Sequence, residues 1–234
     1  MDLFFSKNIK KEKQILSLDE SKHCLLSLRK KINDKIWLTE GDGVLYSADI
    51  CSIKNKKIEY NNLQIISKKI NSPKIHIAIA PTKNKSRFEW FLEKATEIGV
   101  DEISPLICKN SERKIINETR CVKILIAAMK QAQNSILPKL NKPIVFADFF
   151  KKRKKNIYIA HCYDTEKINF KNILFNKKKK KENITILIGP EGDFTTSEIM
   201  LSEKMGGTSI NLSDNRLRTE TAAILASSIA KTIL

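Results

Sequence analysis

Ile184-Thr185-Ile186-Leu187-Ile188-Gly189-Pro190-Glu191-Gly192-Asp193-Phe194-Thr195-Thr196-Ser197-Glu198 is the stretch that decides the fold. Its first five residues form a short run, apolar but for Thr185 and without regular polar alternation, as expected of a strand covered on both faces in a parallel sheet. Gly-Pro-Glu-Gly follows at the carboxyl end of that strand, where open α/β sheets bind ligands. Glycine lets the backbone come close to a ligand, and proline fixes the shape of the loop. Thr195-Thr196-Ser197-Glu198 then reads as a capping box that opens a helix, and Gly206-Gly207 closes it.

Strand–helix alternation extends from this stretch in both directions. Ile75–Ile79, Ile103–Ile107, Ile157–His161 and Ser209–Leu212 read as strands, with Val145-Phe146 a weaker candidate. Ser86-Arg87-Phe88-Glu89 fits a capping box, and Phe88, Phe91, Leu92 and Ala95 share one face of the helix it opens, which Gly99 ends. Further helices are expected over Arg120–Ala132 and Thr219–Leu234. The alternation argues for an α/β domain from residue 73 to 234 with a largely parallel sheet. Residues 1–70 differ. Lys35–Thr39 and Val44–Ile50 flank Glu40-Gly41-Asp42-Gly43, a hairpin signal, and Ile58–Tyr60 and Leu63–Ile66 continue the short-strand rhythm. A short helix over Ser21–Arg29 interrupts it, giving a small β-barrel-like module, and Lys68–Pro73 reads as the linker.

The 234 residues are 41% hydrophobic and 29% charged, enough for a packed core. No apolar run reaches the roughly 18–20 residues needed to cross a bilayer, and the start lacks the order of a signal peptide, so no membrane partner is expected. The five cysteines form no CxxC pair and read as reduced thiols of a cytoplasmic chain. The three histidines show no HExxH spacing, and no metal site is expected. Net charge is +17, which favours a polyanionic partner, nucleic acid first, against a general lysine bias of the proteome. Two basic runs, Lys151–Lys155 and Lys177–Lys181, read equally as phosphate-contacting patches or as solvated loops.

The usual chemical motifs are absent: no GxGxxG after a strand, no GxxxxGK[ST] and no GxSxG. A second irregular segment remains, Asn211-Leu212-Ser213-Asp214-Asn215-Arg216-Leu217-Arg218-Thr219-Glu220-Thr221-Ala222-Ala223. A strand ends, a polar loop follows, and Arg218 and Glu220 flank the start of a helix. They read either as groups acting at a second strand-end loop or as a surface ion pair with each other.

Together the two segments resemble the signature of the RsmE-type enzymes, SPOUT-class knotted methyltransferases that methylate a uridine of small-subunit ribosomal RNA. The matches are Gly189-Pro190-Glu191-Gly192, Phe194, Glu198 and Leu217-Arg218-Thr219-Glu220-Thr221-Ala222. Lys83 with Arg87, Glu93–Val100, Ser111-Glu112-Arg113, Lys130-Gln131 with Pro138, and His23 with Leu28-Arg29 agree as well. Asp193 stands in place of a second glycine, Ser213 in place of another, Asn215-Arg216 where many members carry arginine then an apolar residue, and Asn134 where many carry arginine.

The resemblance implies an N-terminal PUA-like β-barrel over residues 1–70 that binds RNA, and a SPOUT α/β domain with a trefoil knot over 73–234. It implies S-adenosylmethionine as methyl donor, held by His161, Ile188, Gly189, Pro190, Glu191, Gly192, Leu212, Ser213, Leu217, Arg218 and Thr219. It implies a homodimer acting on 16S rRNA in the small ribosomal subunit, at N3 of uridine 1498 in the usual numbering. That nitrogen must lose its proton, so Glu191 or Glu220 is the candidate base and Arg218 the candidate stabiliser of the uracil anion. Two other readings stay open: a knotted RNA methyltransferase with another target nucleotide, and a non-enzymatic RNA-binding ribosome-assembly factor.

Overall fold

The computed structural model describes residues 2–7, 9, 14–70, 72–151, 155–177 and 182–234. Most of both basic runs, 152–154 and 178–181, lies outside the described residues. The chain separates into two compact units, Met1–Ile70 with Ile126–Leu137, and Asn71–Leu125 with Pro138–Leu234.

The first unit carries a sheet in the order β1 (Leu3–Phe5), β2 (Lys35–Thr39), β3 (Val44–Lys54), β4 (Lys57–Lys68). β1 runs parallel to β2, and the other pairs are antiparallel. The expected turn at Glu40–Gly43 is present, and Gly41 and Gly43 both take positive φ, at 82° and 93°. A Cβ on Gly43 would collide with the Lys69 carbonyl, so only glycine closes this turn. Asn55 and Lys56, also at positive φ, form the two-residue turn between β3 and β4. The two short strands expected over Ile58–Ile66 are one strand, β4. The polar interruption between them is a bulge where Asn62 adopts φ 52° and its amide donates to Asp49 Oδ2.

The helix expected over Ser21–Arg29 begins earlier. α1 spans Leu18–Lys22 with Ser17 as its cap, and a π-helical turn continues it over His23–Ser27. Phe4, Leu38, Tyr46, Ile50 and Ile58 form the core of this unit. Residues 126–137 are tied into it by polar contacts: Ser135 Oγ donates to the Gly43 carbonyl, Thr39 Oγ1 donates to the Ser135 carbonyl, and Lys130 Nζ lies 2.7 Å from both Glu20 carboxylate oxygens.

The second unit alternates as expected: β5 (Ile75–Ile79), α2 (Lys85–Ile98), β6 (Glu102–Ile107), α3 (Glu118–Gln131, which from Ile126 onward belongs to the first unit), β7 (Lys139–Leu140), β8 (Ile144–Val145), α4 (Phe146–Phe149), β9 (Ile157–Ala160), β10 (Ile168–Asn169), α5 (Phe170–Lys177), β11 (Ile184–Ile188), α6 (Thr196–Lys204), β12 (Gly207–Asn211) and α7 (Thr219–Ile233). The sheet order is β10-β12-β9-β11-β5-β6-β7, with β8 beside β6, and these pairs are parallel. β11 lies between β9 and β5 with all of its residues buried, which accounts for a run that is apolar but for Thr185.

Two local expectations need correction. α2 is capped by Asn84, whose side chain accepts from Ser86 N–H, and no Ser86–Glu89 box forms because the Glu89 carboxylate takes the Arg120 guanidinium. Val145-Phe146 divides between β8 and α4. The box at Thr195–Glu198 forms in both halves. His76 is structural, its ring nitrogens placed against Ser104 Oγ and Thr185 Oγ1.

Candidate functional site

β12, β9 and β11 are neighbours running in one direction, so the loops at their carboxyl ends meet. Between these loops lies a cleft of about 800 Å³. The β9 loop contributes His161 and Cys162; the β11 loop contributes Ile188, Gly189, Pro190, Glu191 and Asp193. From the segment after β12 come Leu212, Ser213, Arg216, Leu217, Arg218 and Thr219. Thr219 Oγ1 donates to the Gly189 carbonyl at 3.0 Å and holds the two signature segments together.

Two of the candidate residues do not line the cleft. The Gly192 carbonyl turns to Asn110, which donates to it at 3.0 Å, and a Cβ at Gly192 would meet Asn110. Glu220 is buried, and its Oε1 lies 3.6 Å from Arg87 Nε, while its Oε2 has no hydrogen-bond partner among the described residues. The alternative of an Arg218–Glu220 pair is thereby set aside. Gly189 also owes its identity to something other than a ligand. A Cβ there would lie 3.1 Å from the ring of Phe194, a fully buried residue of the core beneath the loop.

Glu191 is exposed, and its Oε1 accepts from the Lys83 backbone N–H at 2.9 Å. The loop that presents this N–H is shaped by Arg113, whose guanidinium donates to the Thr82 and Lys83 carbonyls. Lys83 Nζ in turn pairs with Glu112 at 2.8 Å. These contacts account for Lys83 and Ser111-Glu112-Arg113 as parts of one scaffold.

His161 is buried in the cleft wall, and neither ring nitrogen has a partner among the described residues. Burial pushes its pKa below the usual imidazole value; the Lys167 ammonium lowers it further, while Asp193 and Glu203 act in the opposite sense. A neutral imidazole with both nitrogens unsatisfied is a ready donor and acceptor for a bound molecule. Arg218 occupies the N-cap position of α7, is exposed, and has no acidic partner among the described residues. Lys167, Cys162 and Arg216 line the cleft as well, and none was among the candidate site residues. Cys162 and Lys167 share the β9 loop with His161, and Arg216 the segment that carries Arg218, but no short motif marks them as lining residues.

A family model described as RNA methyltransferase domain matches residues 69–231. The chain belongs to this RNA methyltransferase family. A model described as RNA methyltransferase PUA domain matches residues 16–59, so the family's α/β domain follows an N-terminal PUA domain. Among members, the Ribosomal RNA small subunit methyltransferase E of Mesomycoplasma hyopneumoniae is 36% identical over 161 residues, covering 66% of this chain and 68% of that one. A probable rRNA-methyltransferase from Porphyromonas gingivalis superposes with a TM-score of 0.86 at 31% identity, over 100% of this chain and 98% of that one. A protein from Legionella pneumophila, solved with the cofactor S-adenosylmethionine bound, superposes with a TM-score of 0.83 at 27% identity, over 99% of this chain and 97% of that one. Among the described residues no helix is long and apolar enough to cross a membrane.

Proposed function

We propose that this chain methylates N3 of a uridine in 16S rRNA of the small ribosomal subunit, position 1498 in the usual numbering, using S-adenosylmethionine. The observation that carries this is membership of the RNA methyltransferase family together with a cleft whose wall holds an unsatisfied, neutral imidazole, His161. The cytoplasm is the proposed place of action, a homodimer the proposed active form and a trefoil knot the proposed path of the backbone. The homodimer and the knot rest on the motif resemblance, and the cytoplasm on the unpaired cysteine pattern.

S-adenosylmethionine supplies, when bound, an electrophilic methyl group on a sulfonium. Ile188, Leu212 and Leu217 offer apolar surface for it, and the Gly189–Pro190 backbone and Ser213 offer polar groups. His161 donates and accepts without adding a positive charge beside a cation, because burial keeps it neutral. Aligning the two reactants is the main task left to the protein.

Two further tasks fall to side chains. The uracil N3 proton needs an acceptor, and Glu191 is favoured over Glu220 because it lines the cleft. The charge that spreads onto the uracil carbonyls needs a cation, and Arg218 is free of acidic partners among the described residues. Nucleoside mass spectrometry of 16S rRNA from cells with and without the gene tests the reading. Loss of N3-methyluridine supports it; loss of a different methylated nucleoside, or of none, overturns it.

A further inference from the structure

Asp193 sits where the backbone takes φ 62°, a conformation that ordinarily selects glycine, and aspartate is one of the few residues that tolerate it. Its carboxylate has a defined use. Oδ2 accepts from the Cys162 backbone N–H at 2.7 Å, and Oδ1 accepts from the Phe194 N–H at 2.8 Å. Cys162 belongs to the loop after β9, Phe194 to the loop after β11 and to the core beneath it. One carboxylate therefore spans both walls of the cleft and anchors the β9 loop to the backbone of Phe194, whose ring is buried. Bonds from N–H groups to an ionised carboxylate are the stronger kind.

We propose that Asp193 is a positioning residue that ties the β9 loop, and with it His161, to the β11 loop, and so keeps the cofactor cleft in its binding-competent width. The proposal deepens the reading that this cleft binds S-adenosylmethionine. A loosened tie lowers the fraction of molecules with a competent cleft, and apparent affinity falls by that fraction. The carboxylate also faces the His161 environment, with Glu203 of like sign and Lys167 of opposite sign.

Asp193→Gly and Asp193→Asn separate the two roles of the carboxylate, since glycine suits the positive φ and asparagine keeps an acceptor without charge. Amide hydrogen exchange, the His161 titration by NMR and calorimetry with S-adenosylmethionine are measured on the full chain. Asp193→Gly should expose the Cys162 amide to exchange by tenfold or more and weaken S-adenosylmethionine binding by about tenfold, the loss that follows when the competent fraction falls to about a tenth. Asp193→Asn should keep most of the amide protection and still lower the His161 pKa. An unchanged Cys162 exchange rate in folded Asp193→Gly overturns the tie, whether or not the cofactor binds. Faster exchange with unchanged cofactor affinity overturns its role in the cleft. If the unsubstituted chain binds no S-adenosylmethionine, the proposed activity fails, and the exchange data still decide the tie.

Discussion

Glu220 Oε1 lies 3.6 Å from Arg87 Nε, so the acid that directly follows Thr219 is paired with helix α2 and leaves Arg218 to the cleft. Two residues that look like partners in the sequence have been separated by the fold. One became a buried anchor between α7 and α2, the other an exposed cation at the mouth of a strand-end cleft.

Arg218→Ala should therefore lower the single-turnover methylation rate by about 10²–10³, the usual effect of removing one donor from a developing oxyanion. Melting temperature should stay within a degree or two, because no acidic partner among the described residues is left unpaired. Arg218→Lys should rescue poorly, since an ammonium lacks the paired donors of a guanidinium. A fully active Arg218→Ala ends the catalytic assignment.

Arg87→Ala should behave in the opposite way. It leaves a buried carboxylate without its cation, which costs about 1–3 kcal/mol given that Arg87 is itself only half-buried. Pairing the change with Glu220→Gln should recover part of that loss, and a double-mutant cycle in urea reads the coupling. Additive effects of the two substitutions would mean that the pair contributes nothing to stability.

Much of the frame was readable because its signals are local. The apolar run at Ile184–Ile188, the glycine and proline that end it and the box at Thr195–Glu198 each lie within a few residues. The α2 cap was misplaced by two residues because Ser86 and Asn84 are both competent caps, and the choice depends on Arg120, 31 positions from Glu89. The docking of 126–137 on the first unit was invisible for a similar reason: Ser135 meets Gly43 at a separation of 92 residues. The candidate site was legible residue by residue in its two signature segments. It was only partly legible in His161's surroundings: Lys167 is six residues away and donates to the His161 carbonyl, whereas Asp193 arrives from the loop after β11 only because β11 pairs with β9.

Gly189 and Gly192 make a contrasting pair. Gly189→Ala drives a Cβ to 3.1 Å from the buried Phe194 ring, and overpacking of this kind costs about 1–3 kcal/mol. Cofactor affinity and melting temperature should fall together. At Gly192 the nearest atom is Asn110 Cβ at 3.3 Å in an exposed loop, so Gly192→Ala should be nearly neutral in both. Equal penalties at the two positions would contradict the contact assigned to Phe194.

His161 predicts the pH response. Its folded pKa is lowered, chiefly by burial, whereas in the unfolded chain it titrates near 6.5. The unfolded state thus takes up the proton first as pH falls, so the stability present above about 6.5 is lost on acidification until the folded pKa is passed. His161→Leu should remove that part of the slope. Urea unfolding of both proteins between pH 7.5 and about 5 gives the comparison, and identical slopes would place the imidazole outside the linkage.

Cys162 offers a direct footprint of the cleft. It is exposed and lines the cleft, and Cys51 is exposed in the other unit, while Cys24, Cys108 and Cys121 are buried. Burial and the Asp193 carboxylate both push the Cys162 thiol up, so its labelling should accelerate as pH rises above neutrality, because the thiolate is the nucleophile. Maleimide should modify Cys51 and Cys162 in the folded protein and reach the buried thiols only on unfolding; burial also raises Cys24, to about 11. Saturating S-adenosylmethionine should slow the labelling of Cys162 by roughly tenfold or more, since pockets of this kind bury roughly 70–90% of a bound small molecule. Cys51 serves as the internal control and should label at an unchanged rate. Equal slowing at both positions would signal a global change, and no slowing at Cys162 would move the cofactor out of the cleft between β9, β11 and β12.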